Sequence, residues 1–110
     1  MKRPTRYYSN KQEKAVADTF KGRTQINSGA TPFYKGDVKN DIFLFECKTC
    51  TEQRKSFSIK KEWLDVIRRE AFEDRRFPVL AFNFGDEENY YIIDERLMKL
   101  LNKLIRDSYD

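Results

Sequence analysis

Residues 36–48 carry the clearest structural pattern of the chain and read Gly-Asp-Val-Lys-Asn-Asp-Ile-Phe-Leu-Phe-Glu-Cys-Lys. Asn40 and Asp41 predict a tight turn between two strands, because both residue types tolerate the left-handed backbone that a short hairpin needs. The run from Ile42 to Phe45 is apolar at every position, which is typical of a strand covered on both faces. The stretch therefore predicts a hairpin whose second strand lies between two layers.

Charged side chains gather at one end of this predicted hairpin. An even-length turn, of two or four residues, pairs Asp37 with Leu44. Glu46 and Lys48 then share the face of Asp37, whereas a three-residue turn would move Glu46 to the opposite face. Two carboxylates suit Mg²⁺ or Mn²⁺, and a nearby lysine could hold or activate a water. The other interpretation is that Glu46 and Lys48 form the solvated end of the strand and that Asp37 is a turn residue.

Another acid lies on the helix that precedes the hairpin. The capping pattern predicts a helix that begins near Ser9 or Asn10 and ends at Gly22. Its inward stripe consists of three apolar residues, Val16, Ala17 and Phe20. Glu13 lies on the same stripe at helical spacing, so it either caps the helix or points into a site.

The order of these charged residues resembles a known motif. Asp37 at the start of one strand, followed on the next strand by Glu46-Cys47-Lys48, resembles the signature of the PD-(D/E)XK nuclease superfamily. Gly36 stands where that pattern has proline, a departure that many members share. With the Glu13 helix ahead of the hairpin, the order of elements over residues 9–84 resembles the Holliday junction resolvases of archaea and phages.

This resemblance implies a restriction-endonuclease-like α/β fold and a Mg²⁺-dependent endonuclease, with Mn²⁺ as a substitute ion, that cuts DNA at four-way junctions. Asp37 and Glu46 would bind the metal, Glu13 would complete or support the site, and Lys48 would be catalytic. Two other functions fit the sequence. One is a superfamily nuclease that nicks, repairs or restricts linear duplex, and the other is a nucleic-acid-binding module without chemistry.

Basic residues are concentrated near the start of the chain. Residues 1–25 carry seven lysines and arginines against two acids, while the net charge of all 110 residues is +4. Residues 1–8 are expected to form a flexible basic arm, in which Arg3 and Arg6, together with nearby Lys11, contact DNA phosphates. A solvated tail without a ligand would have the same composition.

Two further residues are candidate DNA contacts. Ser28 begins a loop of small residues that a phosphate could approach, and resolvase-like members have a similar loop here, although an ordinary turn explains it as well. Ser58 predicts the N-cap of a helix that runs to about Asp74. Lys60 lies in its first turn, where it could neutralise charge on the scissile phosphate. Alternatively, the stem of Lys60 simply packs along the surface.

Cys47 and Cys50 form a Cys-x-x-Cys pair. The chain has no histidine and no second pair, so a zinc site would lack half of its ligands unless two chains shared it. Cys47 alternates away from Glu46 along the strand, so it is expected to pack under a helix as a small apolar residue. Both cysteines are expected to be free thiols in a reducing compartment.

The remaining sequence predicts three more strands and a last helix. The strands are expected at 23–27, 76–84 and 90–93, and Asp94 should cap the helix. The complete order is α-β-β-β-α-β-β-α, a mixed sheet flanked by helices. The last helix has an apolar band wider than one core contact requires, which is either a dimer surface or the face of a well-buried helix. A homodimer is expected, because so small a protein can recognise a four-way junction only as two copies.

Length and composition set the remaining limits. A chain of 110 residues with 15% aromatic residues is expected to form one domain, 1–110, with a modest core. No apolar run approaches the roughly 18 residues of a membrane span, and no signal-peptide core follows the basic start. The protein is expected to be soluble and cytoplasmic, in a prokaryotic or phage-infected cell, without membrane contact.

Overall fold

The part of the chain that the structure describes forms a five-stranded mixed sheet with three helices. The computed structural model describes residues 3–25 and 36–109. Its elements are α1 (Thr5–Thr19), β1 (Arg23–Thr24), β2 (Val38–Lys39), β3 (Phe43–Lys48), α2 (Lys61–Glu73), β4 (Phe77–Phe82), β5 (Tyr90–Ile92) and α3 (Glu95–Ser108). The strands lie side by side in chain order, with β3 and β4 parallel and the other neighbours antiparallel. The predicted mixed α/β class is therefore confirmed, and the elements within 3–25 and 36–109 follow the predicted order.

The strands β2 and β3 pair in a different register from the predicted one, but their side chains lie on the predicted faces of the sheet. Val38 pairs with Phe45, and Lys39 pairs with Leu44. This register is two residues away from the expected pairing of Asp37 with Leu44. A shift of two leaves each side chain on its predicted face, whereas a shift of one would have reversed every residue of β3.

The turn between these strands is closed by the Asn40 side chain. Its Oδ1 accepts hydrogen bonds from the N–H groups of Ile42 (2.8 Å) and Phe43 (2.7 Å). Neither Asn40 nor Asp41 has a positive φ, so the predicted left-handed conformation is wrong. A side-chain acceptor at the start of the turn satisfies the backbone donors without that conformation.

The two faces of the sheet bury separate cores. One core lies beneath α1 and α3, and its buried members are Val16, Ala17, Val38, Phe45, Val79, Ala81 and Leu97. On the other face, Ile67 and Ala71 of α2 pack against Leu44. β3 is therefore covered on both sides, as its apolar run predicts, and successive residues of β3 face different helices.

The first helix begins earlier than the sequence predicts. α1 starts at Thr5, with Pro4 in the N-cap position and no side-chain cap, so the expected start near Ser9 or Asn10 is wrong. Residues 5–8 consequently form the first turns of α1 instead of a flexible arm. Proline is compatible with this position because the first N–H groups of a helix have no intrahelical partner.

The later elements are shorter than predicted at their ends. α2 begins at Lys61, three residues after Ser58, and Lys60 occupies its N-cap position without a side-chain cap. β4 and β5 lie within their predicted ranges, and β1 covers the first two residues of its range, while residues 26–27 lie outside the described residues.

No helix in 3–25 or 36–109 has the length and apolar character to cross a membrane.

The last helix has the predicted cap but little burial. Asp94 Oδ1 accepts a hydrogen bond from the Leu97 N–H at 2.9 Å. Leu97 is the buried residue of α3, and Leu101 packs against the same core. The other apolar side chains of the helix, Met98, Leu100, Leu104 and Ile105, are exposed. The alternative of a well-buried helix is therefore wrong.

Gly36 is required by its backbone conformation and by its packing. Its φ is +67°, and a Cβ at this position would lie 2.7 Å from Leu44 Cγ. Proline has a φ fixed near −65° and could not adopt this conformation, which explains why glycine precedes Asp37.

Replacing Gly36 by Ala is expected to lower the free energy of unfolding by about 1–3 kcal/mol, because it adds backbone strain and a clash with the core. Urea unfolding measures this loss. Lys21→Gly is the matched control, since Lys21 has a φ of 53° and glycine should relieve its strain. A Gly36→Ala protein as stable as the parent would contradict this explanation.

Candidate metal and nucleic-acid site

Asp37 is held in place directly before the start of β2. Its Oδ2 accepts a hydrogen bond from the Cys47 N–H at 2.8 Å, where a longer β2 would otherwise supply a backbone acceptor. Its backbone is fixed on both sides, because Asp37 N donates to Phe45 O (2.8 Å) and Gln25 N donates to Asp37 O (2.9 Å). The carboxylate therefore has a defined position beside β3.

Glu46 lies next to this carboxylate. The side chain of Glu46 is partly buried, and its carboxyl group is within hydrogen-bonding reach of the Asp37 carboxyl group. Burial raises the pKa of Glu46 well above its ordinary range, and the hydrogen bond and negative charge of Asp37 raise it further. The Lys48 ammonium acts in the opposite direction. The predicted meeting of two acids from neighbouring strands is therefore present, and the pair favours holding a proton.

Glu13 lies near the pair but is not in contact with both acids. It projects from α1, which packs on the face of the sheet opposite to α2. Burial and the nearby Asp37 charge raise the pKa of Glu13 to about 7, and Arg6 partly offsets this rise. Within the described ranges, no three Asp, Glu, Cys or His side chains are close enough together to hold a metal ion. Glu13 is thus an electrostatic neighbour of a two-carboxylate site.

The predicted lysines converge on one aromatic ring. Lys48 Nζ lies 4.6 Å from the centroid of the Trp63 ring, and Lys60 Nζ lies 5.8 Å from the same centroid. An indole face attracts cations, so both ammonium groups are drawn to the same ring. Of the two, the Lys48 ammonium also acts on Glu46. The sequence gives no reason to connect Trp63 with Lys48, because the contact depends on how α2 crosses β3.

Gln12 supports the end of β3 from the α1 side. The residue is only 4% exposed, and its Nε2 donates to the Lys48 carbonyl at 2.8 Å. The Ala81 carbonyl on β4 and the Asn89 Oδ1 lie within 3.3 Å of the same nitrogen. Gln12 lies one helical turn before Val16, so a polar residue on the inward stripe is the signal by which the sequence indicates it.

Glu70 is a further acid of the site that sequence reasoning missed. Its Oε1 accepts a hydrogen bond from the Gly36 N–H at 2.8 Å, and its charge contributes to the raised pKa of Glu46. Glu70 lies two turns after Trp63 and three residues after buried Ile67, on the face of α2 that packs against the sheet. A carboxylate at that helical spacing is a signal that was available in the sequence.

The candidate DNA contacts are divided between two sides of α1. Arg6 and Glu13 share a groove of about 470 Å³, whose other lining residues are Asn10, Lys14, Thr24 and Gln25. The charge of Arg6 reaches Glu13, so this arginine is close to the acidic site. Positive charge therefore borders the site on its α1 side.

The other predicted contacts differ in their surroundings. The Arg3 guanidinium lies 4.5 Å from the centroid of the Tyr7 ring. Lys11 forms an ion pair with Glu87, which partly neutralises its charge, and it lies on a different side of α1 from Glu13. Ser28 lies outside the described residues.

The cysteines have the predicted character. Cys47 packs against the core beneath α1, and burial raises the pKa of its thiol well above the ordinary value. The Sγ atom of Cys50 lies 3.8 Å from the carbonyl oxygen of Asn83. Both are free thiols. Cys47 contributes packing at the end of β3.

Comparison with known proteins found no relative of this chain. A scan against protein-family models gave no match, and searches of curated proteins and of solved structures gave none either. Any functional conclusion therefore depends on the site itself.

Proposed function

We propose that this protein is a metal-dependent DNA endonuclease of the restriction-endonuclease-like type, acting inside the cell, with branched four-way junctions as its preferred substrate. The observation that carries the proposal is the contact between the Asp37 and Glu46 carboxyl groups, with the Lys48 ammonium nearby. Two partly buried acids in contact repel each other once both are ionised. A site with this composition favours a bound cation.

The donor set fits a hard divalent cation. Mg²⁺ is held in proteins by one or two carboxylates, and its other ligands are waters and substrate phosphates. Asp37 and Glu46 would supply the carboxylates, and Mn²⁺ accepts the same oxygen ligands. When bound, such an ion supplies an acidic water near neutral pH and stabilises the charge on the leaving oxygen.

The surrounding residues would position the attacking water and balance the charge of the reacting phosphate. Lys48 would hold the attacking water and offset the negative charge that develops on the phosphate. The Trp63 ring restricts the position of the Lys48 ammonium group, and Lys60 adds positive charge at the same ring. Glu13 would support the pair only through its charge, since the described residues contain no group of three acids close enough together to hold a metal ion.

The substrate proposal depends on charge and on symmetry. Arg6 and Lys14 line the groove beside Glu13 and would bind backbone phosphates, an interaction that weakens as salt increases. Arg3 and Lys60 would extend this contact, as would Ser28. A four-way junction has two strands to be cut at related positions, so we propose a homodimer that presents two sites.

The experiment that tests the function compares DNA substrates. The purified chain is incubated with a labelled four-way junction and with a linear duplex of the same sequence, with Mg²⁺, with Mn²⁺ or with EDTA. We expect cleavage of the junction with either ion and none with EDTA. Cleavage of the linear duplex at an equal rate would favour a nicking, repair or restriction-type enzyme.

A protein that binds both DNAs but cuts neither with Mg²⁺ or Mn²⁺ would be a non-catalytic binding module. A contaminating nuclease is excluded with the Glu46→Gln protein, which should bind the junction but leave it intact. Residual cleavage of equal rate in that variant would indicate a contaminating nuclease.

A further inference from the structure

Aromatic side chains form a continuous strip at the Lys48 end of the sheet. The aromatic strip consists of Phe57, Trp63, Phe82, Phe84 and Tyr90, whose neighbouring ring centroids are 5.5–6.5 Å apart. These distances are typical of rings in direct contact. Tyr90 is 43% exposed and the other four are partly buried. Among the described residues, the two buried cores contain none of these rings, so the strip is a separate and partly open cluster.

The pairing of the strands places this strip next to the candidate site. Lys48 of β3 pairs with Phe82 of β4, and Phe82 pairs with Tyr90 of β5. Paired residues lie on the same face of a sheet. Tyr90 therefore shares a face with Lys48 and Glu46, and its strand lies about 10 Å from that of Lys48, since neighbouring strands are about 4.8 Å apart.

The main packing of α2 lies elsewhere on this face. Ile67 and Ala71 of that helix pack against Leu44, near the start of β3. The aromatic strip lies at the other end of β3, beside the first turn of α2, which contributes Trp63. The strip is therefore left partly open to water at the edge of the helical layer.

We propose that the aromatic strip binds the base of one unpaired nucleotide of DNA, while the phosphate of that nucleotide contacts the Lys48 and Lys60 ammonium groups. The inference rests on the proposed function, because it takes DNA as the substrate, and it adds the feature of the DNA that is recognised. Bases of any sequence stack on aromatic side chains, since every base has a π face. Moving a base out of a helix costs least where the base is already unpaired, as in a bulge or a gap.

Charges at the two ends of the strip favour one orientation of the nucleotide. Lys48 and Lys60 lie at the Trp63 ring. At the other end, the Glu88 carboxylate is within hydrogen-bonding reach of the Tyr90 hydroxyl. A phosphate is attracted to the first end and repelled from the second, so the base lies towards Tyr90. The strip therefore suits one nucleotide and not a long single strand.

The test compares two DNA duplexes with the same one-nucleotide bulge, in which the bulged nucleotide either carries its base or lacks it. The two DNAs have the same number of phosphates, so a difference in affinity measures the contribution of the base. Filter binding of radiolabelled DNA measures both dissociation constants for the full chain, in EDTA so that metal-dependent cleavage does not occur. We expect the DNA that carries the base to bind roughly fivefold more tightly or better.

Variants test whether the rings provide this preference. Phe82→Leu/Tyr90→Leu should bring the two dissociation constants to within about twofold, because leucine is apolar but has no π face. Tyr90→Phe keeps the ring and should behave like the parent protein. Tyr109→Leu removes an 85% exposed ring on α3 and is the matched control, which should retain the preference. Circular dichroism checks that each variant folds, and Tyr90→Leu alone should lower the preference if the double variant does not fold.

The possible outcomes separate this proposal from the proposed function. Equal affinity of the parent protein for the two DNAs would overturn the binding of a base, whether or not the protein cleaves DNA. A preference that the folded double variant retains would overturn it as well. Loss of the preference in that variant, without cleavage of any DNA in Mg²⁺, would support the strip and contradict the nuclease. A parent protein that binds neither DNA would contradict both.

Discussion

Glu46→Gln is expected to reduce Mg²⁺-dependent cleavage of a four-way junction by roughly 10³-fold or more, because one of two carboxylates that would hold the ion loses its charge. Binding of the junction should remain within a few-fold of the parent protein, since basic residues supply most of the affinity for DNA. Single-turnover cleavage and a gel-shift titration, both in Mg²⁺, measure the two quantities separately. Asp37→Asn should act in the same direction.

The structure makes the Asp37→Asn variant informative. The amide oxygen of asparagine can still accept the hydrogen bond from Cys47 N, which the aspartate makes at 2.8 Å, so the local backbone should be retained. Glu62→Gln is the matched control for Glu46→Gln, since Glu62 is exposed in the first turn of α2. A simultaneous loss of cleavage and DNA binding, in a folded variant, would speak against a role limited to the metal.

The second large effect is that Glu46→Gln should stabilise the protein when divalent ions are absent. Glu46 holds its proton more tightly in the folded chain than in the unfolded chain, where its pKa is near 4.5. Unfolding therefore releases protons, and stability falls as pH rises above about 4.5 towards the raised folded pKa. Glu13 adds to this decline between 4.5 and about 7. The Glu46→Gln substitution therefore removes the part of this loss of stability that Glu46 causes.

Urea unfolding at pH 5 and pH 8 with EDTA measures this effect. At pH 8, Glu46→Gln should raise the free energy of unfolding by about 1–3 kcal/mol, and at pH 5 the difference should be much smaller. Adding Mg²⁺ or Mn²⁺ should stabilise the parent protein at pH 8 and have little effect on the variant, because binding to the folded state alone stabilises it. The Glu62→Gln control should show neither change. Equal pH dependence of the parent and Glu46→Gln would contradict the interpretation of the acid pair.

The sequence predicts those parts of the fold that depend on periodicity. The apolar run of β3 predicted a strand covered on both faces, and the stripe of α1 predicted buried Val16 and Ala17. The alternation around the hairpin brought Asp37 and Glu46 together even though the register was two residues off. A period-two pattern tolerates that error, because the face of a side chain depends on parity.

The sequence could not predict contacts that depend on tertiary placement. α1 begins at Thr5 without a side-chain cap, so capping patterns near Ser9 gave the wrong start. Two contacts depend on where α2 crosses the sheet. One is the contact of the Lys48 ammonium with the Trp63 ring, and the other is the hydrogen bond that Glu70 accepts from the Gly36 N–H. The turn at Asn40 closes through a side-chain acceptor, which composition alone does not distinguish from left-handed backbone.

Trp63 is the only tryptophan of the chain, and it lies beneath the ammonium groups of Lys48 and Lys60. Its intrinsic fluorescence therefore comes from a single environment at the edge of the candidate site. Titration with an ion or a phosphate ligand that moves either ammonium group would change this emission directly. The unmodified protein thus has a built-in optical reporter, which permits stopped-flow measurements without an attached dye.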